Sequence, residues 1–244
     1  MMIGRKSLVV AENIDELASY VAEELTKLSL DSVKMNGSFS LALSGGSTPE
    51  ELYTLLSKEP YSLLIPWKYV HVFWVDERCV PPDDIESNYR QINDELLKRL
   101  EIPFENIHRI QVELGHKQAV SLYQRELQEF FRGSEPEFDL VILGVGKDGH
   151  TASIFSDSNY TEQVGNYVSF TMANYENRPG MRVTLTFDAI NSAKNVIFMV
   201  SGSEKAEIMK KIFHDKQKQF PASYVSPSKG SLKWVLDREA AELL

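Results

Sequence analysis

Residues 138–153 read FDLVILGVGKDGHTAS, and this stretch decides how the chain folds. Phe138 and residues 140–143 form an almost unbroken apolar run, which is typical of a strand buried on both faces in a parallel sheet between layers of helices. Three glycines, an acid and a histidine follow the run directly. Because ligands in such sheets bind beyond the carboxyl ends of the strands, residues 144–150 are predicted to form the floor of an active site.

The glycines of this stretch are spaced as G-x-G-x-x-G, at Gly144, Gly146 and Gly149. In a dinucleotide-binding protein this spacing is followed by a long helix and by an acid about twenty residues further on. Here the apolar pattern stops at Phe155, and the position of the expected acid falls within residues 168–170, which read VSF. The pattern therefore favours a sharp turn that approaches a ligand closely over a nicotinamide or flavin site, and we expect no cofactor.

Composition excludes several classes of protein. A chain of 244 residues is long enough to bury a core without disulfides, and its 43% hydrophobic and 25% charged residues are typical of a globular protein. A formal net charge of −9 argues against non-specific binding to nucleic acid or to an anionic membrane. The single cysteine, Cys79, leaves no disulfide and no C-x-x-C pair, and the five histidines lack metal-binding spacing, so we expect no metal.

The apolar run near the start of the chain is too short for a signal peptide, and no later run approaches the length of a membrane span. These features and the cysteine content predict a cytoplasmic protein. Nothing in the pattern indicates an obligate protein partner. A small anionic substrate is compatible with the acidic composition, because the local cations decide whether it binds.

Strand patterns alternate with helical patterns along the whole chain. The series predicts an α/β fold, a single doubly wound Rossmann-like domain over residues 1–244, with a mostly parallel sheet and helices on both faces. Residues 157–178 carry no pattern that assigns them to an element, and residues 223–225 are predicted as an edge strand.

Residues 44–51 read SGGSTPEE and connect a predicted strand to a predicted helix. Two adjacent glycines between two hydroxyl residues exceed what a plain turn requires. We predict Thr48 as the helix N-cap, with Pro49 at the first helical position and Glu51 three residues after the cap. Backbone N–H groups at the positive end of the helix dipole form an anion site. The residues of this predicted anion site are Gly45, Gly46, Ser47 and Thr48.

Two other predicted strands end in charged residues. After strand 195–200, Ser203 is predicted to cap a helix whose first turn contains Lys205. A positive charge there opposes the helix dipole, and a bound phosphate would explain this cost. Residues 76–78 read DER and follow another strand, so they are expected at the edge of the crevice. A salt-bridged strand end without a role in binding is an equally good interpretation of these three residues alone.

Five motifs stand in order along the chain: SGGSTP at 44–49, DER at 76–78 with Ser87 and Asn88, GVGKDGHTAS at 144–153, RVTLT at 182–186 and GSEK at 202–205. Together they resemble the glucosamine-6-phosphate isomerase/6-phosphogluconolactonase family, and the resemblance covers nearly the whole chain. Two differences favour a lactonase over a deaminase. Arg78 stands where the deaminase pattern has tyrosine, and residues 151–155 read TASIF where it has Ile-Ala-Phe-Asn-Glu.

The resemblance implies hydrolysis of 6-phospho-D-glucono-1,5-lactone to 6-phosphogluconate, a step of the oxidative pentose phosphate pathway that needs no cofactor. His150 suits a general base, since an imidazole can accept a proton from water at cellular pH. Asp148, two residues earlier, would orient it. Arg78 would stabilise the oxyanion or hold a substrate oxygen.

Two more residues receive roles from the resemblance. Arg182 would join the phosphate site, although an outward-facing charge on a strand is the alternative. Asp76 is the residue expected to differ in role between lactonase and deaminase, because the deaminase uses a carboxylate there to move a proton between sugar carbons. Two other functions stay open: a glucosamine-6-phosphate deaminase or related isomerase, and a non-catalytic protein that only binds sugar phosphates.

Overall fold

The computed structural model describes residues 5–156, 165–214 and 219–244, and these ranges contain ten strands and seven α-helices. The strands are β1 (Arg5–Ala11), β2 (Phe39–Leu43), β3 (Val70–Trp74), β4 (Asp76–Arg78), β5 (Ile107–His108), β6 (Leu140–Leu143), β7 (Val168–Met172), β8 (Met181–Leu185), β9 (Asn195–Val200) and β10 (Ser231–Asp237). The helices are α1 (Ile14–Asn36), α2 (Ser47–Leu56), α3 (Tyr61–Leu64), α4 (Asn88–Glu95), α5 (His116–Phe130), α6 (Phe187–Asn191) and α7 (Ala206–His214).

Seven strands of the described ranges form one parallel sheet in the order β1-β10-β9-β6-β2-β3-β5. The order reverses between β2 and β6. From β2 the chain adds β3 and β5 toward one edge, and from β6 it adds β9 and β10 toward the other. The predicted α/β fold with a mostly parallel sheet is confirmed, and such a reversal opens a crevice at the carboxyl ends of the two central strands.

The centre of this sheet is covered on both faces. Every residue of β2 and β6 is buried, as predicted for the apolar run at residues 140–143. Helix α1 contributes to the cover because Leu17, Val21 and Leu25, spaced at helical periodicity, are fully buried. Burying each such side chain contributes about 1.5–3 kcal/mol. The strand ends that carry the polar motifs therefore rest on a close-packed base.

A second, antiparallel sheet contains β4, β8 and β7 in that order. It accounts for part of the segment that the sequence left unassigned, since β7 lies within residues 157–178; residues 157–164 lie outside the described residues. β7 reads VSFTM, which alternates apolar and polar residues, but Phe170 and Met172 are exposed while Thr171 between them is buried, so the alternation does not mark a buried apolar face. Pairing with β8, rather than an apolar face, defines this strand.

Three local predictions are wrong. Helix α2 begins at Ser47, and Gly46, not Thr48, is its N-cap, with φ +118° and no capping side chain. Gly202, with φ +98°, has the same role before the 3₁₀ turn Ser203–Lys205 that leads into α7. In both places the turn needs a backbone conformation that glycine adopts without strain. Residues 223–225 are not a strand, because the 3₁₀ turn Pro221–Tyr224 occupies most of them.

Within residues 5–156, 165–214 and 219–244, no helix combines the length and apolar character needed to cross a bilayer. The same ranges contain no cluster of three or more His, Cys, Asp or Glu side chains that could hold a metal ion.

Candidate active site

The carboxyl ends of β2, β3, β6 and β9 open into a cleft of about 250 Å³. It lies where the strand order reverses. Every site residue predicted from the sequence lines this cleft except Asp148, which lies against His150. Its lining residues are Ser44, Gly45, Gly46, Ser47, Thr48, Pro49, Asp76, Arg78, Asn88, Gly144, Val145, Gly146, Lys147, His150, Ala152, Tyr175, Glu176, Arg178, Arg182, Glu204 and Lys205.

His150 and Asp148 form a hydrogen-bonded pair. The Nδ1 atom of His150 is 2.6 Å from Oδ1 of Asp148, and the backbone N–H of His150 also donates to that oxygen at 3.2 Å. Burial raises the pKa of Asp148, but the hydrogen bonds and charge of His150 outweigh it and hold the pKa below its ordinary value. The carboxylate therefore stays ionised, fixes the proton on Nδ1, and leaves Nε2 as the acceptor nitrogen.

Two aromatic rings hold the imidazole in place. Phe155 stacks on it with 4.1 Å between ring centroids and 28° between the planes, and Tyr175 meets it edge to face at 4.7 Å. The histidine side chain is 13% exposed. It can therefore reach a ligand in the cleft while most of the ring is shielded from solvent.

The glycines within residues 138–153 make room for the imidazole of His150. A Cβ atom on Gly146 would lie 2.0 Å from Nδ1 of His150 and 2.6 Å from Oδ1 of Asp148. Gly149 has φ +82°, and its N–H donates to the C=O of Gly146 at 2.9 Å. The close backbone approach predicted from G-x-G-x-x-G is thus an approach to the histidine pair.

The predicted anion site, residues 45–48, is a loop at the start of α2, called the anion loop below. It presents the backbone N–H groups of Ser47 and Thr48. These groups lie in the first helical turn, where no intrahelical acceptor exists. The N–H of Gly46 is different, because it donates to Oε1 of Gln91 at 2.9 Å. The sequence predicted both glycine N–H groups as free donors, and for Gly46 the contact with Gln91 replaces that expectation.

Packing fixes the preceding part of this loop. Tyr53 Oη–H donates to the C=O of Ser44 at 2.5 Å, and Ser44 Oγ–H donates to the C=O of Ile142 at 2.8 Å. At Gly45 a Cβ atom would lie 2.1 Å from Oδ1 of Asn88. Glycine is therefore required at this position by contact with α4.

Two more cations line the cleft, the half-buried Lys205 and the buried Arg182. Burial lowers the pKa of both Lys205 and Arg182. Arg182 is 3% exposed, its Nε–H donates to the C=O of Pro179 at 3.2 Å, and its buried Nη2 has no hydrogen-bond partner in the described part of the chain. A buried donor without a partner is costly, and an anionic ligand in the cleft would satisfy it.

Arg78 enters the cleft from the end of β4. Its Nη1 donates to the C=O of Glu86 at 2.7 Å and lies 3.6 Å from Oε2 of the same residue. Its buried Nε has no hydrogen-bond partner among the described residues. Arg178 lies 3.9 Å from the same Glu86 oxygen. The arginine is thus held by Glu86 and still has a donor available.

The carboxylate of Glu77 does not line the cleft and instead accepts hydrogen bonds that hold the backbone. It accepts the backbone N–H groups of Arg78, Asn88 and Tyr89, each at 2.8 Å, and the hydroxyl of Ser87 at 3.1 Å. Burial raises its pKa to about 7, against the lowering effect of the backbone hydrogen bonds. Glu77 therefore ties β4 to the start of α4, and the salt-bridged strand end considered from the sequence involves Glu86 instead.

Asp76 is buried beside the histidine turn. Its Oδ2 accepts a short hydrogen bond from the hydroxyl of Ser153, and its Oδ1 accepts the side-chain amide of Asn88 at 3.3 Å. Both carboxylate oxygens are thus engaged by protein donors.

The model of the family described as glucosamine-6-phosphate isomerases/6-phosphogluconolactonase matches residues 12–234. The chain belongs to the glucosamine-6-phosphate isomerase/6-phosphogluconolactonase family. The 6-phosphogluconolactonase of Nostoc sp. is 39% identical over 227 residues, which cover 90% of each chain.

Two other relatives extend the comparison within the glucosamine-6-phosphate isomerase/6-phosphogluconolactonase family. The human GDH/6PGL endoplasmic bifunctional protein is 37% identical over 245 residues, or 97% of this chain, which spans 30% of the length of that protein. The solved structure of 6-phosphogluconolactonase from Trypanosoma cruzi is 31% identical and superposes with a TM-score of 0.87, over 100% of this chain and 98% of the other.

Several lining residues escaped the sequence analysis. Tyr175 and Arg178 lie between β7 and β8, in the segment to which no pattern was assigned. Asn88 follows a helix cap, Ser87, and belongs to one of the five motifs, but no role was predicted for it. The lining residues that sequence reasoning did not assign to the site include Asn88, Lys147, Tyr175, Glu176, Arg178 and Glu204.

Replacing Gly146 with alanine tests the contact with His150. The added methyl group overlaps the imidazole, so we expect Gly146→Ala to displace the ring and lower kcat for lactone hydrolysis about 10²-fold, the cost of misplacing a reacting group by about 1 Å. Gly144→Ala is the matched variant, because a Cβ there meets no atom within 4 Å. Equal losses in the two variants would show that crowding of the cleft, and not displacement of His150, is the cause.

Proposed function

We propose that the protein hydrolyses 6-phospho-D-glucono-1,5-lactone to 6-phospho-D-gluconate, a step of the oxidative pentose phosphate pathway. One observation carries the proposal: a histidine–aspartate pair lies at a cleft that also contains a helix N-terminus and two arginines, Arg78 and Arg182, each with a buried donor that has no partner among the described residues. A base and an anion site together suit a phosphorylated ester. Relatives named 6-phosphogluconolactonase, such as those of Nostoc sp. and Synechocystis sp., support this substrate at 38–39% identity.

The first chemical step is attack of water on the lactone carbonyl. Nε2 of His150 accepts a proton from the water as the oxygen bonds to C1, while Asp148 keeps the other ring nitrogen protonated and stabilises the imidazolium. Phe155 and Tyr175 keep the ring from turning away. Holding the base in one orientation lowers the entropy cost of reaching the transition state.

The second requirement is stabilisation of the oxyanion. Arg78 supplies the donor in this proposal, because its Nε has no hydrogen-bond partner in the described ranges and its guanidinium is held by Glu86. A pre-positioned charged donor stabilises the negative charge that develops on the carbonyl oxygen more than it stabilises the neutral ground state.

Collapse of the tetrahedral intermediate breaks the bond between C1 and the ring oxygen. The leaving oxygen becomes the C5 hydroxyl and takes the proton held by His150, so the same residue acts as base and then as acid. The imidazole returns to its neutral form, and the products are the carboxylate and one proton. No group other than the chain and water is needed for this balance.

In this proposal the phosphate lies against the N-terminus of α2. Backbone N–H groups of Ser47 and Thr48 meet it at the helix N-terminus, and Lys205 and Arg182 supply positive charge. Desolvation that disfavours the charged forms of Lys205 and Arg182 is offset when the phosphate binds.

Replacement of Lys205 by methionine should act on binding. We expect Lys205→Met to raise KM for the phosphorylated lactone about 10–100-fold with little change in kcat, since a charge-assisted hydrogen bond contributes about 1.5–3 kcal/mol. Initial rates at varied lactone concentration measure this. Lys210→Met, on the exposed side of α7, is the control and should match the wild type. A fall in kcat at unchanged KM would remove Lys205 from the phosphate site.

The activity itself is tested with freshly generated 6-phosphogluconolactone and 6-phosphogluconate dehydrogenase as the coupling enzyme. The spontaneous hydrolysis rate is subtracted. A rate in excess of this background supports the proposal. Absence of any excess contradicts it, and the release of ammonia from glucosamine 6-phosphate in a parallel assay would then assign the deaminase reaction.

A further inference from the structure

Gln91 binds Gly46 through both ends of its side-chain amide. Oε1 accepts the N–H of Gly46 at 2.9 Å, and Nε2 donates to the C=O of Gly46 at 2.9 Å. Gly46 precedes α2 with φ +118°, a conformation that other residues rarely adopt. One side chain thus fixes both polar backbone groups of the residue on which the turn into the anion loop depends.

Gln91 does not itself line the cleft. Its influence on a ligand must therefore pass through Gly46. The residues before Gly46 have their own anchors, since Tyr53 and Ile142 hold Ser44. The contact with Gln91 secures the opposite end of the glycine pair, next to the N–H groups of Ser47 and Thr48.

We propose that Gln91 is a positioning residue for recognition of the substrate's phosphate, an inference that rests on the proposed function. By holding the Gly46 peptides it sets the direction of the N–H groups of Ser47 and Thr48 before the phosphate arrives. It also occupies the N–H of Gly46, so that the anion is recognised by the helical turn and not by the glycine. Donors fixed in advance bind an anion more tightly because no ordering cost is left to the binding step.

A purely structural role is the competing explanation, because Gln91 also links α4 to the start of α2. The two explanations differ in what they predict. A structural link lowers thermal stability and reduces kcat along with binding of any ligand. A positioning role weakens binding of phosphate-bearing ligands and leaves kcat almost unchanged, because His150 and Arg78 lie on other strand ends.

The experiment compares the wild type with Gln91→Ala. We expect KM for 6-phosphogluconolactone, and Kd for 6-phosphogluconate measured by calorimetry, to rise about tenfold, while kcat changes less than twofold. Hydrogen exchange of the Gly46 amide, followed by NMR, should become faster because its acceptor is gone. Gln91→Glu keeps an acceptor for that N–H but cannot donate to the C=O and adds a negative charge, so its loss of binding should be larger.

Asn93→Ala removes an amide side chain from the same helix outside the cleft and serves as the matched control. Unchanged KM and Kd in Gln91→Ala would overturn the proposal, as would a fall in kcat and melting temperature at constant KM. The wild type separates this result from failure of the proposed function. If the wild type binds 6-phosphogluconate or inorganic phosphate without hydrolysing the lactone, the function fails, and the ratio of Kd values between variant and wild type still decides the role of Gln91.

Discussion

Replacing His150 with alanine is expected to lower kcat for lactone hydrolysis by about 10²–10⁴-fold, the usual contribution of a positioned acid–base group. The reason is that Nε2 of this ring is the proton acceptor that Asp148 leaves free in the cleft. KM should change little, because the phosphate is proposed to be held by the start of α2, Lys205 and Arg182 and not by His150. The coupled assay with 6-phosphogluconate dehydrogenase measures the effect after subtraction of spontaneous hydrolysis.

The matched control is His214→Ala, which removes an exposed imidazole at the end of α7 and should leave the rate unchanged. A His150→Ala variant that keeps its excess rate would preserve the function and place the base elsewhere, with Asp76 or Asp148 next in line. The same result would support a different role for the Asp148–His150 pair, such as shaping the turn. A protein that only binds sugar phosphates would give no excess rate in either form.

The sequence predicted the main sheet well because burial on both faces leaves a local record. Each residue of β2 and β6 is buried, so each must be apolar or small, and the run is visible without knowledge of the partners. β7 leaves a misleading record, because its sequence VSFTM alternates apolar and polar residues but its burial does not follow that alternation. Exposed Phe170 and Met172 flank the buried Thr171, and pairing with β8, which cannot be read locally, defines the strand.

Helix starts were harder to predict because two signals compete for them. Thr48 with Pro49 and Glu51 matched a capping sequence, yet the chain begins the helix one residue before Thr48. Gly46 can take φ +118°, and the contact with Gln91 holds it there. The decisive partner is 45 residues away in the sequence, so no local rule could identify it.

The candidate site divides in the same way. Asp148 and His150 are two residues apart, so their contact follows from the turn that the glycines allow. The residues on adjacent strand ends meet because a parallel sheet aligns them at one edge. The ion pairs that Glu86 makes with Arg78 and Arg178 do not follow from either rule, since Glu86 and Arg178 lie on connecting segments. Their positions depend on the tertiary structure.

Replacing Arg78 with methionine is expected to lower kcat by about 10²–10³-fold with a small change in KM, as found when one oxyanion donor is removed. Methionine keeps most of the apolar stem and deletes the charge and the donors. Nε of Arg78 has no hydrogen-bond partner in the part of the chain that the structure describes, while Nη1 at the other end of the guanidinium donates to the C=O of Glu86. Initial rates over a range of lactone concentrations separate the two constants.

The split between kcat and KM decides what Arg78 does. An oxyanion donor acts in the transition state, so its loss appears in kcat, whereas a ligand of the phosphate acts in both states, so its loss appears in KM. Arg109→Met, which breaks the pair with Glu113 outside the cleft, controls for the loss of a paired arginine. A rise in KM at constant kcat would move Arg78 into the phosphate site beside Lys205 and leave the oxyanion to another donor.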